Sequence, residues 1–422
     1  MTVLTLLVAM AAGCSGTAGG GESVGSTPAG GESSSGEKVT VSILSWFNEA
    51  AMKPVMDEFI KENPNVTFDF QYAPPVKDYV EKLKSMMFAG TAPDIVFQCY
   101  ENKMDLVNGN YLVDLTGQPF IEGLSEFNRA TYTVDGKIYS FGPTTWVGGL
   151  IYNVDMFEEA GITAEPQTWE QFLDVLAKLK AHGVKPLIGN VNDAAVNIVT
   201  PLYANETLSQ DAAFDEKLMS GEKTFAEGWT KPLQMFYEGL VQPGYLTGDM
   251  LPLQSDQVLN EFINGNVAII QGGTWTIKDL RKKSPEMNVK MMPVPGESAG
   301  TATYFGASDA SLAINSKSKN KEIAMKFLEF VASPKGLELY FKGTGNIITA
   351  QGYVPEVDPS LSSAYEGMKA GNLYIPMGGW TKHTEALRNQ YVISLQDMVV
   401  GKITPQEAAE SMDKKFNELE GN

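Results

Sequence analysis

Three short segments carry side chains suited to holding hydroxyl groups. They are Trp46-Phe47-Asn48-Glu49, Gln98-Cys99-Tyr100-Glu101 and Gly272-Gly273-Thr274-Trp275. Carboxylates and amides make paired hydrogen bonds to neighbouring hydroxyls, and aromatic rings cover C–H faces. Two glycines let a backbone come close to a ligand, and the indole of Trp275 offers a flat apolar face beside them. That combination fits a sugar ring better than a reactive centre. Trp275 is the foremost expected contact. Trp46, Trp146 and Trp380 are further stacking candidates, Trp380 because it follows the glycine turn Pro376-Met377-Gly378-Gly379. Asn48, Glu49, Gln98 and Glu101 are the expected hydroxyl partners. Trp169 starts an amphipathic helix and Trp229 sits among helical residues, so both read as structural.

Catalytic readings find less support. The chain has 2 histidines, His182 and His383, and neither stands at metal-ligand spacing from a Cys, Asp or Glu. No Gly-x-Ser-x-Gly elbow and no phosphate loop occurs. A glycoside hydrolase needs two carboxylates across a scissile bond, and Glu49 with Glu101 can be imagined in that role. Nothing in the sequence sets their separation. No metal and no cofactor is expected. A binder of a non-sugar solute stays open as the alternative; a secreted glycoside-active enzyme or a structural surface protein is weaker still.

The whole chain agrees with a binder outside the cytoplasm. Its 422 residues exceed the size at which one core stops growing, so two lobes are expected. A net charge of -19 excludes a nucleic-acid partner, which needs a basic field. The two cysteines, Cys14 and Cys99, make no disulfide framework. Val3 to Met10 is apolar and too short to span a membrane, and Ala11-Ala12-Gly13-Cys14 resembles a bacterial lipobox. Residues 1–13 are thus expected to be a signal peptide and Cys14 a lipidated N-terminus. Residues 14–38 continue as a flexible linker of Gly, Ser, Thr, Ala and Glu, which cannot bury enough apolar area to fold. Such a tether has an end-to-end distance of about 25–30 Å.

From Val39 onward apolar runs alternate between periods of two and of 3.6. Strands are expected at Val39–Ser45, Val66–Phe70 and Asp94–Phe97. Helices are expected with Pro54 in a first turn, and across Tyr79–Met87. This order implies a mainly parallel sheet with helices on both faces. Further on, a helix over Thr168–Ala181 has a Thr168/Gln171 capping box, and a strand over Val267–Gln271 stops at two glycines. A last helix starts at Thr404, with Pro405 in its first turn and Glu407 completing a box. In open α/β sheets ligands bind beyond the carboxyl ends of strands, where the three segments lie.

The chain also resembles the extracellular solute-binding proteins of ABC sugar importers, the group that includes maltose-binding protein. Ala92-Pro93-Asp94-Ile95-Val96, Gly149 to Phe157, Pro166 to Phe172, Gly265 to Trp275 and Ala324 to Phe330 with Ser333-Pro334 carry the resemblance, in that order. It implies an α/β, periplasmic-binding-protein-like fold of two lobes, joined by three crossing segments around a ligand cleft. Lobe I would hold 39–145 with 309–352, and lobe II 146–308 with 353–422. The crossings would fall near Pro143–Gly149, Phe305–Ala310 and Gly352–Pro359. Gly306 and Ser308 would line the cleft from the second crossing. The implied partners are a carbohydrate, most simply an oligosaccharide, and the membrane permease subunits of an importer. The protein would be a monomer anchored by lipid to the outer face of the cell membrane.

Overall fold

The computed structural model describes residues 38–421. Residues 1–37, with the expected signal segment, Cys14 and nearly all of the tether, lie outside them. The described chain builds two large sheets, each with its own apolar core, and a two-stranded ribbon, Thr133–Val134 with Lys137–Ile138.

The first sheet pairs Val39–Ser45 in parallel with both Val66–Tyr72 and Ile95–Gln98. Short alternating strands pair in parallel because helices return the chain to the same edge. Ser311–Ile314 then adds antiparallel to Ile95–Gln98, and Ser140–Phe141 pairs with it. The core beneath includes Ile43, Phe59, Phe97, Leu312 and Phe327.

The second sheet is centred on the long strand Thr144–Asn153. Val267–Gly273, Val289–Met292 and Ala302–Ser308 all pair with it antiparallel, and Lys185–Ile188 lies parallel to Val267–Gly273. Phe172, Leu176 and Leu179 of the helix Trp169–Ala181 are fully buried against this half. The C-terminal helices Thr384–Val399 and Pro405–Glu420 pack on the same core through Leu387, Tyr391, Met412 and Phe416.

Two links between the sheets are short. Gly142 and Pro143 separate Ser140–Phe141 from Thr144–Asn153, and Asp309 and Ala310 separate Ala302–Ser308 from Ser311–Ile314. Ile347 and Ile348, paired with Thr145 and Thr144, belong to a third passage. Asn128 ties these passages together. Its buried Nδ2 lies 2.8 Å from the Gly142 carbonyl, 3.1 Å from that of Thr144 and 2.9 Å from Thr349 Oγ1, while its Oδ1 accepts from Thr145 Oγ1 at 2.9 Å.

Several local expectations change. The first helix runs from Glu49 to Glu62, so Pro54 lies inside it rather than in its first turn. The reason is Asn48, whose side chain accepts the Ala51 N–H and caps the helix early. Thr168 accepts the Gln171 N–H at 3.3 Å, but Gln171 Oε1 accepts from Gln167 at 2.8 Å, so no reciprocal box closes on Thr168. The box at Thr404 and Glu407 is complete.

Asp309 gives the junction a titratable group. Its N–H donates to the Thr144 carbonyl at 3.0 Å and its carboxylate accepts from Asn346. Burial pushes the carboxyl up to about 6. The folded state therefore binds this proton more tightly than the unfolded chain, whose Asp titrates near ~3.9. Stability from this group is greatest in acid and is lost as pH rises from about 4 through about 6. Asp309→Asn should gain on wild type by on the order of 1–2 kcal/mol between pH ~4 and pH ~7. Urea melts at the two pH values check this, and a pH-independent difference would contradict it.

Candidate functional site

Trp275 opens the helix Thr274–Lys283 directly beyond the strand Val267–Gly273 and remains 42% exposed. Trp146 projects from the neighbouring strand, and the two rings meet with centroids 5.6 Å apart and planes at 60°. Two of the expected aromatics thus form one corner. The glycines act differently from the sequence expectation. Gly272 and Gly273 continue the strand, paired with Gly149 and Gly148. A Cβ on Gly148 would lie 2.4 Å from the Phe305 ring, and one on Gly273 would lie 2.4 Å from the Trp275 ring. They let strands and the indole approach one another, rather than opening backbone to a ligand.

Beside Trp275 lies a cavity of about 180 Å³ lined by Asn190, Asp193, Gln271, Ser255 and Thr276, with apolar walls from Met250 and Leu259. Gln271 Oε1 accepts the Asn190 N–H, which fixes the loop leaving Lys185–Ile188. The expected criterion, amides and acids after an apolar strand, also describes Gly189-Asn190-Val191-Asn192-Asp193, which sequence reading passed over. The buried Thr274 Oγ1, next to Trp275 in the chain, has no hydrogen-bond partner among the described residues.

On the first sheet Trp46 is half-buried and packs edge-on to Tyr79, at 4.8 Å, and near Phe97, at 5.5 Å. Asn48 and Glu49 are exposed, and Asn48 serves as the helix cap already described. Gln98 is fully buried: its Oε1 accepts from Ser140 and its Nε2 has no partner among the described residues. The buried hydroxyl of Ser311, its register partner, likewise has none among them. Glu101 sits in the first turn of Tyr100–Asn108, with its side chain 13% exposed. Cys99 is a buried thiol whose pKa burial pushes up, as an inert packing residue requires.

Three expected site residues belong elsewhere. Trp380 is 0% exposed, boxed by Phe225, Trp229 and Tyr391 at centroid distances of 5.6, 5.8 and 5.8 Å. The glycine turn before it feeds the ring into the core because Gly379 is the only residue type that clears Asp215 Oδ2, 2.0 Å from a would-be Cβ. Gly306 is a strand-packing glycine, with a would-be Cβ 2.7 Å from the Trp146 carbonyl. Ser308 is 3% exposed in the same strand, opposite Thr145.

One residue absent from the sequence reading reaches the Glu101 side. Arg388, on the helix Thr384–Val399, places Nη1 3.9 Å from Glu101 Oε1 and 3.6 Å from Glu385 Oε1. The arrangement offers stacking surface, amides and carboxylates without a nucleophile–base pair. Among the described residues no group of three or more His, Cys, Asp and Glu can hold a metal. No described helix is long and apolar enough to cross a membrane.

Comparison with known proteins places this architecture. Residues 55–370 match the family model described as bacterial extracellular solute-binding protein. A multiple sugar-binding protein of Streptococcus mutans is 23% identical over 328 residues, covering 75% of this chain and 76% of that protein. The sn-glycerol-3-phosphate-binding periplasmic protein of Shigella dysenteriae is 25% identical over 401 residues, covering 86% and 87%. A family 1 extracellular solute-binding protein from Bifidobacterium longum subsp. infantis superposes with a TM-score of 0.77 at 26% identity, covering 91% of this chain and all of that one. A two-lobed fold and a family match across most of the chain agree, and the chain belongs to the bacterial extracellular solute-binding proteins.

Proposed function

We propose that the protein binds a carbohydrate, in the first instance an oligosaccharide, and delivers it to the membrane subunits of an ABC importer. The observation that carries this is the Trp146–Trp275 corner beside a cavity of mixed polar and apolar lining at the strand ends. Indole faces cover sugar C–H surfaces, and the Asn190, Asp193 and Gln271 side chains supply the mixed donors and acceptors that hydroxyls need. The sugar-binding name of the Streptococcus mutans relative supports the same reading. The site holds, binds and releases; it performs no bond chemistry. Lobe I is taken as 39–145 with 309–352 and lobe II as 146–308 with 353–422, closing about the passages tied by Asn128. Closure is what would let the importer distinguish loaded from empty protein.

Both cores lie within residues 38–421, so protein lacking residues 1–37 keeps them. Thermal-shift measurements on that protein against a glycan panel test the reading. A binding sugar raises the melting temperature by linkage. No shift with any sugar, and a shift with a non-sugar solute, would replace the carbohydrate by that solute.

Anchoring belongs to the same proposal. Cys14 is taken as the acylated mature N-terminus and palmitate as one of its acyl groups, which holds the domain to the outer face of the membrane. Cys14→Ala should leave the precursor unprocessed or release protein to the medium. Mass spectrometry of the mature wild-type N-terminus decides it, and an unlipidated terminus would refute the anchor.

A further inference from the structure

Arg388 is a guanidinium set among carboxylates without being consumed by them. It faces Glu101, from the first sheet's side, and Glu385, from its own helix, at 3.9 and 3.6 Å. Both separations are ion-pair distances beyond hydrogen-bond reach. The side chains of Arg388 and Glu101 are only 21% and 13% exposed. Burial works against the charge on Arg388, but the carboxylates of Glu101, Asp193 and Glu385 outweigh it and keep the guanidinium ionised. Asp193, whose charge acts on Arg388, also lines the cavity beside Trp275. Glu385 Oε1 is buried and has no hydrogen-bond partner among the described residues. One other cation, the exposed Lys77, acts on Glu385.

This chemistry suits one kind of ligand group. A hydroxyl both donates and accepts, so a pair of neighbouring hydroxyls can accept from the guanidinium and donate to the carboxylates at once. A phosphate or carboxylate only accepts. To reach Arg388 it would face three groups that also only accept, and would be repelled by each. The family alone leaves this choice open, since one relative is named for a phosphate ester.

We propose that Arg388, with Glu101, Asp193 and Glu385, is a selectivity element that engages hydroxyls of an uncharged sugar and rejects phosphorylated and uronate-bearing ones. The inference rests on the carbohydrate reading of the site.

The test is calorimetric titration of the full-length protein in detergent. Neutral probes are raffinose, lactose, maltotriose, xylotriose and chitotriose. Charged probes are sn-glycerol 3-phosphate and glucuronosyl-xylotriose. At least one neutral probe should bind, with a Kd nearly unchanged between low salt and about 0.5 M NaCl. Its charged counterparts should bind at least ~100-fold more weakly. Arg388→Gln should weaken the neutral probe about tenfold or more, and Glu101→Gln should weaken it while lowering the discrimination against sn-glycerol 3-phosphate. Tight, salt-sensitive binding of a charged probe would overturn the inference and leave the sugar- or solute-carrier reading standing. Wild-type affinity in both variants would make the cluster a structural ion pair and overturn it too. No binding of any carbohydrate, neutral or charged, would overturn the carbohydrate reading and this inference with it.

Discussion

Trp275→Ala should cost at least about 2 kcal/mol of sugar affinity, roughly thirtyfold, and cost folding stability much less than the about 3–5 kcal/mol of a core Trp→Ala. The ring is 42% exposed, so truncation removes less buried apolar area from the unliganded protein than loss of a fully buried Trp would. It does remove one face of the Trp146–Trp275 corner, whose rings stand 5.6 Å apart at 60°. Stacking area of this kind is desolvated mainly in the bound state, so the loss falls on affinity. Calorimetry with the best sugar and a denaturant melt of the same variant check the pairing. Unchanged affinity with a large loss of stability would make Trp275 a packing residue.

Trp380→Ala should show the opposite pairing. The indole is 0% exposed among Phe225, Trp229 and Tyr391. Truncating such a residue typically costs about 3–5 kcal/mol, from lost transfer energy and from the cavity left behind. Its Nε1 is buried and has no partner among the described residues. Trp380→Phe should therefore cost much less than Trp380→Ala, because it removes an unsatisfied donor while keeping most of the ring. The folded fraction of either variant should bind sugar within about threefold of wild type, since the ring reaches no ligand surface. Loss of affinity in Trp380→Phe, with stability intact, would return this residue to the site.

The contrast between these two tryptophans shows what the sequence could reveal. Both follow paired glycines, and the local pattern cannot tell an indole displayed at a strand end from one turned into a core. The difference lies in partners distant along the chain: Trp146 beside Trp275, and Phe225, Trp229 and Tyr391 around Trp380. Strands were legible because apolar runs such as Val39–Ser45 and Val267–Gly273 are short and bounded by breakers. The start of the first helix was misplaced because Pro54 looked like a first-turn proline, while the true cap was Asn48. Asn190 and Asp193 were within reach of the strand-end criterion. Arg388 was not, because it sits mid-helix in a polar stretch and only tertiary packing brings it to Glu101.

Carbohydrate binding without cleavage is tested most directly by titrating the wild-type protein with the sugar that best raises its melting temperature and then recovering that sugar. One site per chain is expected, with saturable binding and an oligosaccharide recovered intact with no release of reducing ends. Recovery of cleaved sugar, or the absence of saturable binding by any oligosaccharide, would contradict it.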